Sequence, residues 1–167
     1  MSNLKFLLHL LVLLILQLGI FDHLQLHSYV YINIYVLAIY ILPYRWSHAT
    51  ILIFGFLLGL SIDLVNHTMG IHAMSTTFLA YIRPRLLLLT FNNEQLDDIH
   101  GKQKIGEFRW FFKYALISTV LFNIIMIFSE VFSFQNMMIT LLRILCSTFC
   151  SLFFMMVYYF ITLKKRV

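Results

Sequence analysis

The stretch Gly55-Phe56-Leu57-Leu58-Gly59-Leu60-Ser61-Ile62-Asp63-Leu64-Val65, continued by Asn66-His67-Thr68-Met69-Gly70-Ile71-His72-Ala73, decides how this chain folds. Gly55, Gly59 and Asp63 stand four apart, so on an α-helix they share one face and drift by only about 40° per step. Two small residues at that spacing remove side-chain bulk and let another helix approach closely, whether from the same chain or from a partner. A short polar run, Asn66 to Thr68, separates this apolar stretch from the next. The pattern is a helix, a tight turn and a second helix.

Working outward, the surroundings are those of a bilayer. Of 167 residues, 61% are hydrophobic and 11% charged, against about 25% charged in a soluble domain. A soluble chain of this size could not cover its surface with so few polar groups. Six apolar stretches can be drawn, at about 4–21, 29–42, 49–65, 69–82, 108–128 and 137–163. The expected fold is therefore an all-α integral membrane protein. It is a six-helix transmembrane bundle forming one domain over 1–167, with no soluble domain. Stretches 29–42 and 69–82 are short. Each offers roughly 21 Å of α-helix, less than the hydrocarbon thickness, so each needs shelter or local thinning. The first stretch starts like a signal peptide, but Gln17-Leu18-Gly19-Ile20-Phe21-Asp22 lacks the small residues of a cleavage site and reads as an uncleaved helix.

The basic residues mark the topology. Lys5, Arg45, the group Arg83, Arg85, Lys102, Lys104, Arg109 and Lys113, and then Lys164, Lys165 and Arg166 fall on every second connection or end. Connections 22–28, 66–70 and 129–136 contain no Lys or Arg. That alternation predicts an even number of spans in an inner membrane, with both termini cytoplasmic. The net charge of +5 thus records topology and not a nucleic-acid surface. The polar loop 92–107 reads as a solvated connector or as a docking site for a cytoplasmic partner. Cys146 and Cys150, four apart in an apolar run, read as packing residues.

Within the apolar stretches, Asp63 needs water, a donor or a cation. Asn66, His67 and Thr68 can supply donors, and the carboxylate could also cap the connection to the next helix. Arg143 stands about 20 residues, roughly 30 Å, before the end of the sixth stretch, a depth shared by Asp63 and Glu130. Pairing of Arg143 with Asp63 or Glu130 is one expectation, and snorkelling of Arg143 to headgroups is the other. His9, His23, His27, His48, His67 and His72 show no metal-ligand spacing. Neither a G-x-S-x-G nucleophile turn nor a phosphate-binding glycine loop occurs. No catalytic residue, metal or cofactor is expected.

The pattern G-x-x-x-G-x-x-x-D, a short turn and then G-[LIV]-[HN]-[AS], carried by Gly55, Gly59, Asp63, Gly70, Ile71, His72 and Ala73, resembles the rod shape-determining protein MreD family. The resemblance implies a non-enzymatic membrane scaffold of the elongation complex that builds lateral peptidoglycan. Its implied partners are the transmembrane helix of MreC, and with it MreB filaments, RodA and a class B penicillin-binding protein. It also implies a fold similar to the substrate-binding subunits of energy-coupling-factor transporters. On this reading Gly55, Gly59, Asp63 and Gly70 form the face on which a partner helix packs.

Two rival classes remain open at this point. A vitamin-binding subunit of such a transporter needs an outward, partly polar pocket, which Asp63, Arg143 and Glu130 could line. It also needs a small-residue docking face on the first helix, where Leu4-Lys5-Phe6-Leu7-Leu8-His9-Leu10-Leu11 offers no alanine. A membrane enzyme would have Asp63 with His67 as its only paired groups.

Overall fold

The computed structural model describes residues 3–22, 30–43, 46–90, 108–131 and 137–163. Connector 92–107, the basic residues Arg45, Lys102, Lys104, Lys164, Lys165 and Arg166, and the histidines His23 and His27 lie outside the described residues. Among the described residues there are six α-helices: α1 (Asn3–Leu16), α2 (Leu37–Tyr40), α3 (His48–Asn66), α4 (Ile71–Thr90), α5 (Phe108–Val131) and α6 (Met137–Tyr158). Wider five-residue-ring turns prolong α1 through Gln17–Phe21 and α6 through Tyr159–Leu163, and one 3₁₀ turn, Ile34–Val36, leads into α2. No strand occurs among the described residues. Helices α3, α5 and α6 are long and apolar enough to cross a membrane.

The long helices form a ring. α3 packs on α4, α4 on α5, and α5 on α6. α1 closes the circle: its Phe6 ring lies 5.7 Å from Phe54 of α3, and its His9 Nδ1 lies 2.8 Å from the Tyr158 hydroxyl of α6. The stretch Ile32 to Leu42 fills the centre, where no residue is more than 5% exposed.

This central segment departs from the expected helix over 29–42. Only Ile34–Tyr40 is helical, and the residues 30–33 before it form no helix. Distance along the bundle explains why. An extended chain rises about 3.3 Å per residue against 1.5 Å in an α-helix. The Tyr31 hydroxyl donates to Glu130 at 2.6 Å, the Asn33 amide reaches Asn123, and the Tyr40 ring lies 5.4 Å from Tyr114. From Glu130 to Tyr114 is about 24 Å along α5, further than so few residues could reach as a helix.

Unwinding leaves backbone groups without intrahelical partners. Such backbone is tolerated at membrane depth only where protein supplies replacements, and here side chains do so. Gln17 Oε1 accepts from the Ile34 N–H at 2.9 Å, and its Nε2 donates to the Ile32 carbonyl at 2.9 Å. Ser147 Oγ accepts from the Tyr31 N–H at 3.0 Å. Ser151 Oγ accepts from the Asn33 N–H at 3.0 Å and donates to the Tyr31 carbonyl at 3.3 Å. At the far end, the Arg83 guanidinium donates to the Leu42 carbonyl.

α4 also differs from expectation, running through Pro84 to Thr90 where the sequence suggested a stop near 82. A proline inside a helix removes one N–H bond, and the packed α3 and α5 neighbours hold the rest in place. Arg83 is consequently not a loop cation reporting topology. It is 3% exposed and ties α4 to the central segment.

Candidate functional site

The residues that carry the family resemblance form one mechanical unit at the α3–α4 turn. A Cβ added at Gly55 would stand 2.8 Å from the Ala80 Cβ. At Gly59 it would stand 2.5 Å from the Ala73 Cα and 2.6 Å from the Ala73 nitrogen. These are backbone atoms that cannot swing aside. The helix nested on the glycine face is thus the chain's own α4, and a partner's helix would have to displace it. That replaces the expectation of a partner-packing face at Gly55 and Gly59.

Asp63 completes the unit. α4 begins after Gly70, whose φ of 83° is easy only for glycine, so the residue before the helix has no side chain with which to cap it. Asp63 caps it from across the turn: Oδ1 accepts from the His72 N–H at 3.1 Å and Oδ2 from the Ala73 N–H at 2.8 Å. The Thr68 hydroxyl also donates to Oδ1. A carboxylate at a helix N-terminus satisfies orphan donors and meets the positive end of the helix dipole. His67 ends α3 in the left-handed conformation, φ 54°, and the donors on Asp63 come from Thr68, His72 and Ala73. His72 extends the lock inward, its Nδ1 lying 2.8 Å from the buried Tyr35 hydroxyl of the central segment.

A cleft of about 470 Å³ opens at the same end of the bundle, between the end of α1, the α3–α4 turn and the end of α5. Its polar wall includes Gln17, Asp22, Asn66, Thr68, His72 and Glu130, and Phe21, Ile71 and Met126 supply apolar surface. Asp22 accepts from the Gln17 amide at 2.6 Å and from the Asn66 amide at 3.0 Å. Glu130 and Arg143 gather around Tyr31, whose hydroxyl donates to Glu130 and feels the charge of Arg143. Of the charges paired in expectation, Asp63 meets the N–H groups of α4, Glu130 accepts from Tyr31, and Arg143 acts on that same Tyr31. Among the described residues, no three His, Cys, Asp or Glu side chains are placed to hold a metal.

Sequence reasoning passed over Gln17, Asn33, Ser147 and Ser151. Their signal was faint but present: an amide in each of two apolar runs, and two serines four apart on a lipid-length helix. No protein-family model, no curated protein and no solved structure matches this chain.

Proposed function

We propose that the chain is a non-enzymatic scaffold in the bacterial inner membrane. On this reading it belongs with the MreD-like subunits of the elongation complex, binds the transmembrane helix of MreC, and supports lateral peptidoglycan synthesis. MreB, RodA and a class B penicillin-binding protein are the further partners, and both termini are cytoplasmic. The observation that carries the reading is the coherence of the motif. Gly59 packs on Ala73, Asp63 accepts from His72 and Ala73, His72 reaches Tyr35 of the central segment, Gly55 abuts Ala80 further along α4, and Gly70 supplies the positive-φ turn. A chance match of small residues has no reason to assemble into one capped helical hairpin.

In this reading the motif builds the platform and the partner's helix seats on the outer surface of the ring. The test is co-purification in detergent with a single-span protein bearing an extracytoplasmic coiled coil, together with cell shape after depletion of the chain. Stable co-elution and rounding of depleted cells are expected. Rod-shaped depleted cells and no co-elution would remove the assignment.

The cleft favours a second reading, a substrate-binding subunit of an energy-coupling-factor vitamin transporter. Its volume lies within the range of about 300–1,000 Å³ typical of small-ligand sites. Vitamin uptake that depends on the chain, with shape unaffected, would select this alternative.

A further inference from the structure

We propose that the cleft at the α3–α4 turn binds a primary ammonium group, with Asp22 as its chief anchor and Glu130 and the Nε2 of His72 beside it. The inference rests on the cleft alone and not on the scaffold reading.

Three observations converge. First, the charge there is uneven. Connections 22–28, 66–70 and 129–136 contain no Lys or Arg, and among the described residues the side chains that meet Asp22 are the neutral amides of Gln17 and Asn66. Arg143 acts on Tyr31, beside Glu130. A carboxylate at the edge of a bilayer gains strongly from a positive partner. Second, His72 is only 6% exposed and lines the cleft. Its Nδ1 is taken by Tyr35, while its Nε2 meets no protein partner among the described residues. Third, the space of about 470 Å³ is walled on one side by Phe21, Ile71 and Met126, which suits the short carbon chain of an amine.

Two sources present this chemistry: a small amine in solution, or an ethanolamine headgroup from the adjoining leaflet. Both place an N⁺–H donor beside Asp22, and the tautomer in which His72 Nδ1–H donates to Tyr35 leaves Nε2 as a second acceptor.

The experiment uses the full chain purified in detergent. Butylamine and its neutral counterpart butanol are titrated while thermal stability is followed, and native mass spectrometry compares retained phosphatidylethanolamine with phosphatidylglycerol. Saturable stabilisation by butylamine but not butanol identifies a free-amine site. Selective retention of phosphatidylethanolamine identifies the headgroup as the source. In either case Asp22→Asn weakens binding by about tenfold, the size of one charge-assisted contact. Glu130→Gln, at an exposed position, weakens it less and serves as the probe if Asp22→Asn does not fold. Equal response to butanol, unchanged binding in folded variants, or no binding of either amine source overturns the proposal. Partner co-purification is a separate readout, so failure here leaves the scaffold reading standing.

Discussion

Replacing Gly59 by alanine tests the helical lock directly. Helix propensity alone predicts a gain, since alanine is favoured over glycine in a helix interior by about 0.5–1 kcal/mol. The structure predicts the opposite sign. The new Cβ would lie 2.5 Å from the Ala73 Cα, whereas carbon atoms rest at about 3.5–4.0 Å. α3 and α4 must therefore separate by about 1 Å at this level. One turn further on, Asp63 holds the His72 and Ala73 N–H groups at 3.1 and 2.8 Å, and the same separation takes both past hydrogen-bond range. Overpacking costs about 1–3 kcal/mol, and each lost bond adds about 0.6 to 2 kcal/mol on membrane and charged-group scales. Set against the propensity gain, the net loss is about 1–6 kcal/mol, or about 2–25 °C in melting midpoint for a chain of this size. Gly19→Ala is the control, because nothing lies within 4 Å of its added Cβ, and it should be neutral or slightly stabilising. Thermal unfolding of both variants in detergent, followed by size-exclusion profile, reads the difference. A Gly59→Ala midpoint equal to that of Gly19→Ala would refute the close approach of α3 and α4.

Gln17→Leu preserves volume but strands the Ile34 N–H and the Ile32 carbonyl, with an expected loss of about 2–4 kcal/mol. Faster amide exchange confined to residues 32–35 would identify its cause. Asp63→Asn keeps one acceptor oxygen and should fall midway between the parent and Asp63→Ala, whose loss is about 1–2 kcal/mol by analogy with other caps; equal melting of all three would discount the cap. Arg83→Met removes a buried cation along with the donor to Leu42. It should raise exchange at the α2 end of the central segment while leaving the α3–α4 turn protected.

The glycine ladder and its carboxylate were legible because their meaning is periodic: spacing of four on an apolar run fixes a face whatever lies opposite. What lay opposite was less legible. The sequence does not say whether α4 or a foreign helix fills the face, because both supply the same small-residue surface. The central segment was read as a short helix because residues 29–42 are apolar and end at Pro43, and apolar content says nothing about backbone shape. Its unwinding depends on Ser147 and Ser151, more than a hundred residues away, and on a single glutamine in the turn that prolongs α1. Arg83 misled for a related reason. A basic residue beside a proline after an apolar run looks like the start of a loop, and only its contact with Leu42 reveals a buried tether.

The threaded core carries a consequence for biogenesis. A continuous helix can rest in lipid as soon as it leaves the insertion machinery, because its backbone is self-satisfied. The start of the stretch from Tyr31 to Leu42 has no such independence: the Tyr31 and Asn33 N–H groups wait for Ser147 and Ser151, more than a hundred residues further along the chain. The newborn chain must keep this stretch at the interface, or shielded by the insertion apparatus, until α6 emerges and the ring shuts around it. Ribosome-tethered chains ending before α6 should accordingly leave residues 30–42 open to protease, and full-length chains should bury them.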